Sequence, residues 1–491
     1  MLNIEQMWRN PIIKSKKSMK EFYVLCKLNM KGKKAKRSKI NVVFIIDRSG
    51  SMRTNLSNNR NPDYKTLQQI WDQKNKQNPS IPNPLIPGTG TPFIPDSPYK
   101  NTSIRSPFWT DQNGMLINNQ QLNNVNNITQ LQDIAKELLE TPTHYEKPLS
   151  KLDLVKKATI KAIGQLQDDD LVSIITFDDK VDVLCSGISA KNKEELIKKV
   201  EGITTGGMTD LFSAWWKGAY TLTENMKEGY LNRVLLLTDG QTNAGEMRTD
   251  VITNKLAELA AVEVSTSTFG VGSDYNEDLL QKMAEKGEGN YYYIKNDEDF
   301  EELFKEEFIN INNIATKKTL LSINTKMDYE IVNDFEKTDE HKYKLGNLIF
   351  NKEKEFLIKV IPGKIKNKKI ELEISYLFNG EEVKYKLDLN IPQVEKEDYF
   401  ENQEVIDKIA ELAIVKEKEK AIKALDRGDI NLARATLNGA IAMAEGSSAQ
   451  FYNNNLNSIT SLSNDLESGN YTVLRKTALY ENYNSRNTKE K

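Results

Sequence analysis

Cysteine and histidine are nearly missing from this chain of 491 residues, with two of each. Cys26 and Cys185 both lie in apolar stretches, so buried free thiols are expected and a disulfide framework is excluded. His144 and His341 are far apart, which leaves histidine-based zinc sites and Ser-His-Asp catalysis without a basis. No apolar run approaches the ~20 residues of a membrane-spanning helix. The opening Met-Leu-Asn-Ile-Glu-Gln-Met-Trp lacks the basic head and apolar core of a secretory signal. A cytoplasmic location is therefore the expectation. Charge of one sign is also missing: 68 Lys and Arg face 70 Asp and Glu, which argues against broad attraction to nucleic acid. The basic stretch 31–39 is local and is expected to be a solvated loop. No Gly-x-x-x-x-Gly-Lys-Ser/Thr occurs, so nucleotide hydrolysis by a P-loop has no support.

The length suggests about two to four domains. Hydrophobic content of 38% predicts that some segments pack little. The run Asn41-Val-Val-Phe-Ile-Ile46 reads as a strand buried on both faces, at the centre of a parallel sheet. Residues 53–149 then turn rich in Asn, Gln and Pro and read as an insertion, with one helix expected over 129–140. Strands and helices alternate from there. Helices are expected at 151–167, 193–200, 211–224, 251–261, 277–284 and 299–309. Strands are expected at 171–177, 233–238, 263–271 and 291–294, with a short edge strand at 181–184. Tyr291-Tyr-Tyr293 is expected to alternate between core and solvent. Asp168-Asp-Asp170 and Asp178-Asp179 read as turns.

Residues 313–395 read as strands only, with Asn379-Gly380 as a hairpin signal. The strand-like 22–28 is expected to join them from the 1–39 segment. The fold class that follows is α/β. A doubly wound, mostly parallel sheet over 40–312 is joined by a discontinuous antiparallel β-sandwich and a C-terminal helical segment. That segment is read as a helical hairpin or bundle over 396–474, followed by a flexible tail over 475–491.

Ligand sites in open α/β sheets lie outside the carboxyl ends of the strands. Asp47-Arg48-Ser49-Gly50-Ser51 stands at such an end and offers a carboxylate and two hydroxyls, the hard oxygens that Mg²⁺ takes. Thr204-Thr-Gly-Gly-Met-Thr209-Asp210 is a Gly-rich loop opening a helix, where Asp210 reads as the cap. Thr238-Asp239-Gly240 ends a second apolar strand. Any one of these alone is ordinary turn chemistry. All three in order are specific.

In that order the chain resembles the von Willebrand factor A domain and its metal-ion-dependent adhesion site, over roughly residues 40–310 without the insertion. The resemblance implies that Ser49 and Ser51 bind a divalent cation directly. It also implies that Thr209 binds directly when a ligand is engaged, and that Asp47 and Asp239 act mainly through water. Mg²⁺ is the expected ion, with Mn²⁺ or Ca²⁺ as alternatives, and one position is left for a partner's Asp or Glu. The wider layout resembles bacterial, intracellular proteins of this family. Leu345-Gly-Asn-Leu348 matches their sandwich; Asp426-Arg-Gly-Asp429 with Leu432-Ala-Arg-Ala-Thr-Leu437 matches their helical tail. That likeness suggests AAA+ ATPases, kinases or phosphatases as partners.

The reading is therefore a non-catalytic, metal-dependent interaction scaffold. The alternative is a Mg²⁺-dependent hydrolase with Asp47 as nucleophile, a chemistry that wants a second carboxylate where this chain has Ser49. Trp215 and Trp216 follow the metal loop: one is expected in the core and the other is available to a partner. The insertion is read either as a lid or pseudo-ligand, with Asp72, Asp96, Asp111, Asp133, Glu137 and Glu140 as carboxylates in cis, or as a tolerated loop.

Overall fold

The computed structural model describes residues 2–10, 12–13, 21–32, 37–56, 149–240, 245–361, 369–389, 391–395 and 400–487. The helix expected over 129–140, the body of the insertion and its acidic residues lie outside the described residues.

The strands that precede or form the first half of the α/β layer include β1 (Leu2–Trp8), β2 (Phe22–Met30), β3 (Lys39–Asp47) and β4 (Leu171–Phe177). The layer continues with β5 (Val181–Ser189), β6 (Tyr230–Thr238), β7 (Val264–Val271) and β8 (Glu288–Ile294). Its six strands run in the order β5-β4-β3-β6-β7-β8. All neighbours are parallel except β4 and β5. Strand β5 runs to Ser189, longer than the short edge strand expected.

Among the described residues, six helices belong to this layer: α1 (Lys151–Gln165), α2 (Lys193–Glu201), α3 (Leu211–Glu224), α4 (Thr249–Ala261), α5 (Glu277–Lys286) and α6 (Asp297–Asn312). Val43 and Ile45 of β3 pack with Leu211, Ala214 and Trp215 of α3, and Ile252 and Leu256 of α4 extend that cluster. Phe44, on the other face, stacks on Phe304 and Phe308 of α6. Alternate residues of β3 thus meet opposite helix layers, which is why the strand is apolar throughout. Ile46 of β3 pairs with Leu237 of β6, so the two strands end side by side at Asp47 and Thr238.

The opposite end of the sheet is pinned by Asp170, fully buried. One carboxylate oxygen accepts from Arg37 Nη1 at 2.8 Å and Ile40 N at 2.8 Å; the other accepts from Arg37 Nη2 at 2.7 Å and Gln167 N at 2.8 Å. The expected solvated turn and basic loop need correction at this point. Arg37 comes out of the basic stretch to neutralise Asp170, a buried carboxylate at which the Ile40 and Gln167 amides already aim.

The chain continues into β9 (Ile314–Thr325), β10 (Asp328–Ile331), β11 (Tyr343–Ile349), β12 (Glu353–Ile361), β13 (Ile370–Phe378) and β14 (Glu381–Leu389). They form two four-stranded sheets, β1-β2-β12-β10 and β11-β9-β13-β14. Val24, Leu28, Phe356 and Ile358 of the first sheet share one core with Leu321, Leu345, Leu372 and Ile374 of the second. Asn379 and Gly380 both take positive φ (52° and 85°), as a two-residue hairpin turn of the primed type demands.

Four helices follow: α7 (Gln403–Asp426), α8 (Ile430–Met443), α9 (Ala449–Glu467) and α10 (Tyr471–Asn487). The expected flexible tail over 475–491 is overturned as far as Asn487, because α10 docks on the α/β layer. Arg475 pairs with Asp278 at 2.7 Å and with Glu277, and Lys476 reaches Glu277 and the Tyr275 carbonyl. Tyr483 meets the Tyr291 ring edge-on at 5.8 Å. Tyr291, Tyr292 and Tyr293 are consequently all buried rather than alternating. Helix α10 covers Tyr291 and Tyr293, while the Tyr292 hydroxyl donates to Glu307 of α6.

Candidate metal centre

The five residues expected to form a site come together at the carboxyl end of β3 and β6. Asp47 is fully buried as the last residue of β3. Its Oδ1 accepts from Ser49 N at 2.8 Å, and its Oδ2 accepts from Thr238 Oγ1 at 2.5 Å. This closes the turn in which Ser49 caps the short 3₁₀ helix Gly50–Arg53. The Oγ atoms of Ser49 and Ser51 lie 3.1 Å apart, and Ser51 Oγ donates to Asp239 Oδ1 at 2.7 Å. Thr209 is buried on the Gly-rich loop. A Cβ added at Gly240 would stand 2.9 Å from Thr209 Oγ1 and 3.4 Å from Asp47 Oδ2. The bare glycine therefore keeps a space open between a hydroxyl and a carboxylate that belong to distant parts of the chain.

The Gly-rich loop is held by a second set of contacts. Gly50 N donates to Gly207 O at 3.0 Å and Gly206 N donates to Arg48 O at 2.6 Å. A Cβ at Gly206 would fall 1.8 Å from Asp178 Oδ2, so any side chain there would displace that carboxylate. Asp178 accepts from Lys180 N at 2.9 Å and Gly207 N at 3.3 Å and pairs with Arg48. Burial alone would raise its carboxyl, but the two amides and Arg48 outweigh burial and hold it below its ordinary value. Asp178 is thus more than a turn residue, because it ties the first motif to the second. Asp210 caps α3 by accepting from Ser213 N at 3.1 Å, as expected. Trp215 is buried and donates to Thr266, while Trp216 is 41% exposed.

Burial pushes the Asp47 carboxyl up to about 6, against the hydrogen bonds from Ser49 and Thr238 and with the Asp239 charge adding to the rise. A buried carboxylate in this state is stabilised by a nearby cation. Three hydroxyls and two carboxylates offer only hard oxygen, a donor set that suits Mg²⁺ or a similar ion. Among the described residues, no group of three or more His, Cys, Asp or Glu side chains is placed to hold a metal ion. The donor set therefore fits a hydroxyl-rich cation site and argues against a carboxylate or zinc cage.

Lys151 is a member of the site that sequence reasoning missed. It is the first residue of α1 and is 4% exposed. Its Nζ lies 2.8 Å from Asp239 Oδ2 and 3.4 Å from Asp274 Oδ2. One signal was available, since a lysine in the first turn opposes the helix dipole and needs a compensating anion.

Residues 148–306 match the family model of the von Willebrand factor type A domain. Thr209 and Asp239 fall within this match; Asp47, Ser49 and Ser51 precede it, across the insertion. The uncharacterized protein YfbK of Escherichia coli is 29% identical over 145 residues, 29% of this chain and 25% of that protein. Inter-alpha-trypsin inhibitor heavy chain H3 of Bos taurus is 26% identical over 157 residues, 30% of this chain and 18% of that protein. The match spans well under half the length of these curated relatives. Among solved structures, a von Willebrand factor type A protein from Catenulispora acidiphila superimposes with a TM-score of 0.56 at 14% identity, over 90% of this chain and 86% of its own. The ArnB paralog VWA2 from Sulfolobus acidocaldarius gives 0.51 at 14% identity, over 99% and 98%. At that identity the likeness speaks for the fold, and it extends beyond the α/β layer.

Proposed function

We propose, from the premise that this chain carries a von Willebrand factor type A domain, that its site is a metal-ion-dependent adhesion site serving protein–protein interaction. Ser49, Ser51 and Thr209 would hold the cation through their hydroxyls, with Asp47 and Asp239 behind them. A divalent ion, Mg²⁺ in the first instance, supplies there a coordination position for an Asp or Glu carboxylate of a partner. The observation that carries this reading is the gathering of five oxygen-bearing side chains from three separate segments at one end of the sheet, where Ser49, Ser51 and Asp239 are joined by hydrogen bonds and Gly240 leaves room between Thr209 and Asp47.

The protein's own contribution is charge and order. Two carboxylates against a divalent ion leave it without a surplus of negative charge, so an incoming anion is attracted rather than repelled. Met208, next to Thr209, is 57% exposed and offers apolar contact beside the anchor. Partners of the ATPase, kinase or phosphatase kind follow from the likeness to bacterial relatives, and an intracellular setting belongs to the same reading. No described helix is long and apolar enough to cross a membrane. The hydrolase alternative is disfavoured by Ser49 standing where a second carboxylate is wanted.

Affinity capture from native lysate with Mg²⁺, with EDTA, and with Asp47→Ala or Ser49→Ala tests the proposal. Partners retained by wild type in Mg²⁺ and lost in the other three samples are expected. Identical capture in all four would overturn it, and phosphatase turnover abolished by Asp47→Asn would favour the enzyme.

A further inference from the structure

We propose that Lys151 is a fixed third charge of the metal centre, which lowers its affinity for the cation and raises the loaded site's affinity for an acidic side chain. This rests on the adhesion-site reading above. Asp239 is fully buried and divides its two oxygens: Oδ1 takes the Ser51 hydroxyl, and Oδ2 takes the Lys151 ammonium at 2.8 Å.

The lysine occupies a built position. Ser150 caps α1 through a reciprocal capping box with Asp153, and Lys151 N donates to Thr54 O at 2.8 Å. The residue is thereby tethered to the segment that follows Ser51. Its stem lies along Gly272, where an added Cβ would come within 3.0 Å of Cε and 3.3 Å of Nζ. Gly272 has φ +75°, so both its conformation and its bareness suit the slot.

The consequence is a charge count. Asp47 and Asp239 together carry two negative charges, and Lys151 reduces the receiving site to one. A divalent cation then leaves the loaded centre at plus one instead of neutral. Asp274, the lysine's other partner, is 66% exposed and is screened by solvent, so it offsets this only in part. Arg48, another cation close by, is already paired with Asp178 and Asp182. The same ammonium therefore repels the metal and attracts the carboxylate that the metal is there to capture.

Substitutions separate charge from positioning. Lys151→Gln keeps a donor for Asp239 and removes the charge; Lys151→Met removes both. Calorimetric titration of the full-length protein with Mn²⁺ alone gives the ion affinity. Binding of a hexaglutamate peptide at saturating Mn²⁺, with an EDTA control, gives the anion affinity. Both variants should bind Mn²⁺ about tenfold or more tightly than wild type, and the peptide about tenfold or more weakly. Should Lys151→Met fail to fold, Lys151→Gln decides alone. Mn²⁺ affinity in Lys151→Gln equal to or below that of wild type would overturn the inference and leave the lysine a positioning residue. Wild type that takes up no Mn²⁺ at all would instead overturn the adhesion-site reading itself.

Discussion

Replacing Asp170 by Asn tests whether the sheet that presents the site is pinned from its far end. The carboxylate takes four short hydrogen bonds, two on each oxygen, from Arg37, Ile40 N and Gln167 N. The amide would keep one oxygen for Arg37 Nη1 and Ile40 N. Its NH₂ would then face Arg37 Nη2 and Gln167 N, two donors left without an acceptor, and the guanidinium would lose its counter-charge. At ~1.5–3 kcal/mol for each bond to a charged group, two such losses amount to about 3–6 kcal/mol, which overlaps the ~3–5 kcal/mol measured when one partner of a buried ion pair is removed. A urea titration of both proteins should show the midpoint falling with an unchanged slope. Arg37→Met serves as the second corner of a double-mutant cycle, and the double variant should lose clearly less than the sum of the single losses. A loss below about 1 kcal/mol for Asp170→Asn, or strict additivity with Arg37→Met, would refute the reasoning.

Gly240→Ala should leave the chain folded, at a cost of about 1–3 kcal/mol for overpacking, while its methyl group, 2.9 Å from Thr209 Oγ1, abolishes Mn²⁺ binding in calorimetry. Tyr483→Ala should lower stability by about 3–5 kcal/mol and speed hydrogen exchange in β8, because it empties a buried ring position against Tyr291. Glu277 gives a pH dependence: burial alone would raise its carboxyl, but Lys476 and Arg475 outweigh burial and hold it below 4.5. Its stabilisation of the α10 contact is thus present above pH 4.5 and is lost as pH falls below that value, seen as faster exchange in α10; Glu277→Gln should remove that added pH dependence.

How much of this was legible in the sequence depends on whether a feature is local. Asp47 and Asp239 were readable because each follows an apolar strand, and parallel strands must present their carboxyl ends together. Thr209 was singled out by the likeness to the family's motif, on a loop that Gly206 and Gly207 mark as tight. Tyr291-Tyr-Tyr293 was misjudged because periodicity describes one strand and not what covers it, and α10 arrives from nearly 200 residues away. The tail was misjudged for the same reason. Arg475 and Lys476 look solvated until Glu277 and Asp278 are placed beside them. Asp170 and Arg37 were read as surface charge because composition carries no record of pairing across 133 positions.

The pairing of Asn55 with Ser150, together with the bond from Lys151 N to Thr54 O, has a topological consequence. The α/β layer closes its own circuit before residue 57 and resumes it at residue 150. In connectivity, the segment between is a branch and not a link in series. Its length and composition can therefore drift in evolution, or be exchanged by design, without rethreading a single strand of the sheet. A turn of a few residues in its place should leave the layer intact, with about 2–3 kcal/mol less loop-closure entropy to overcome on folding.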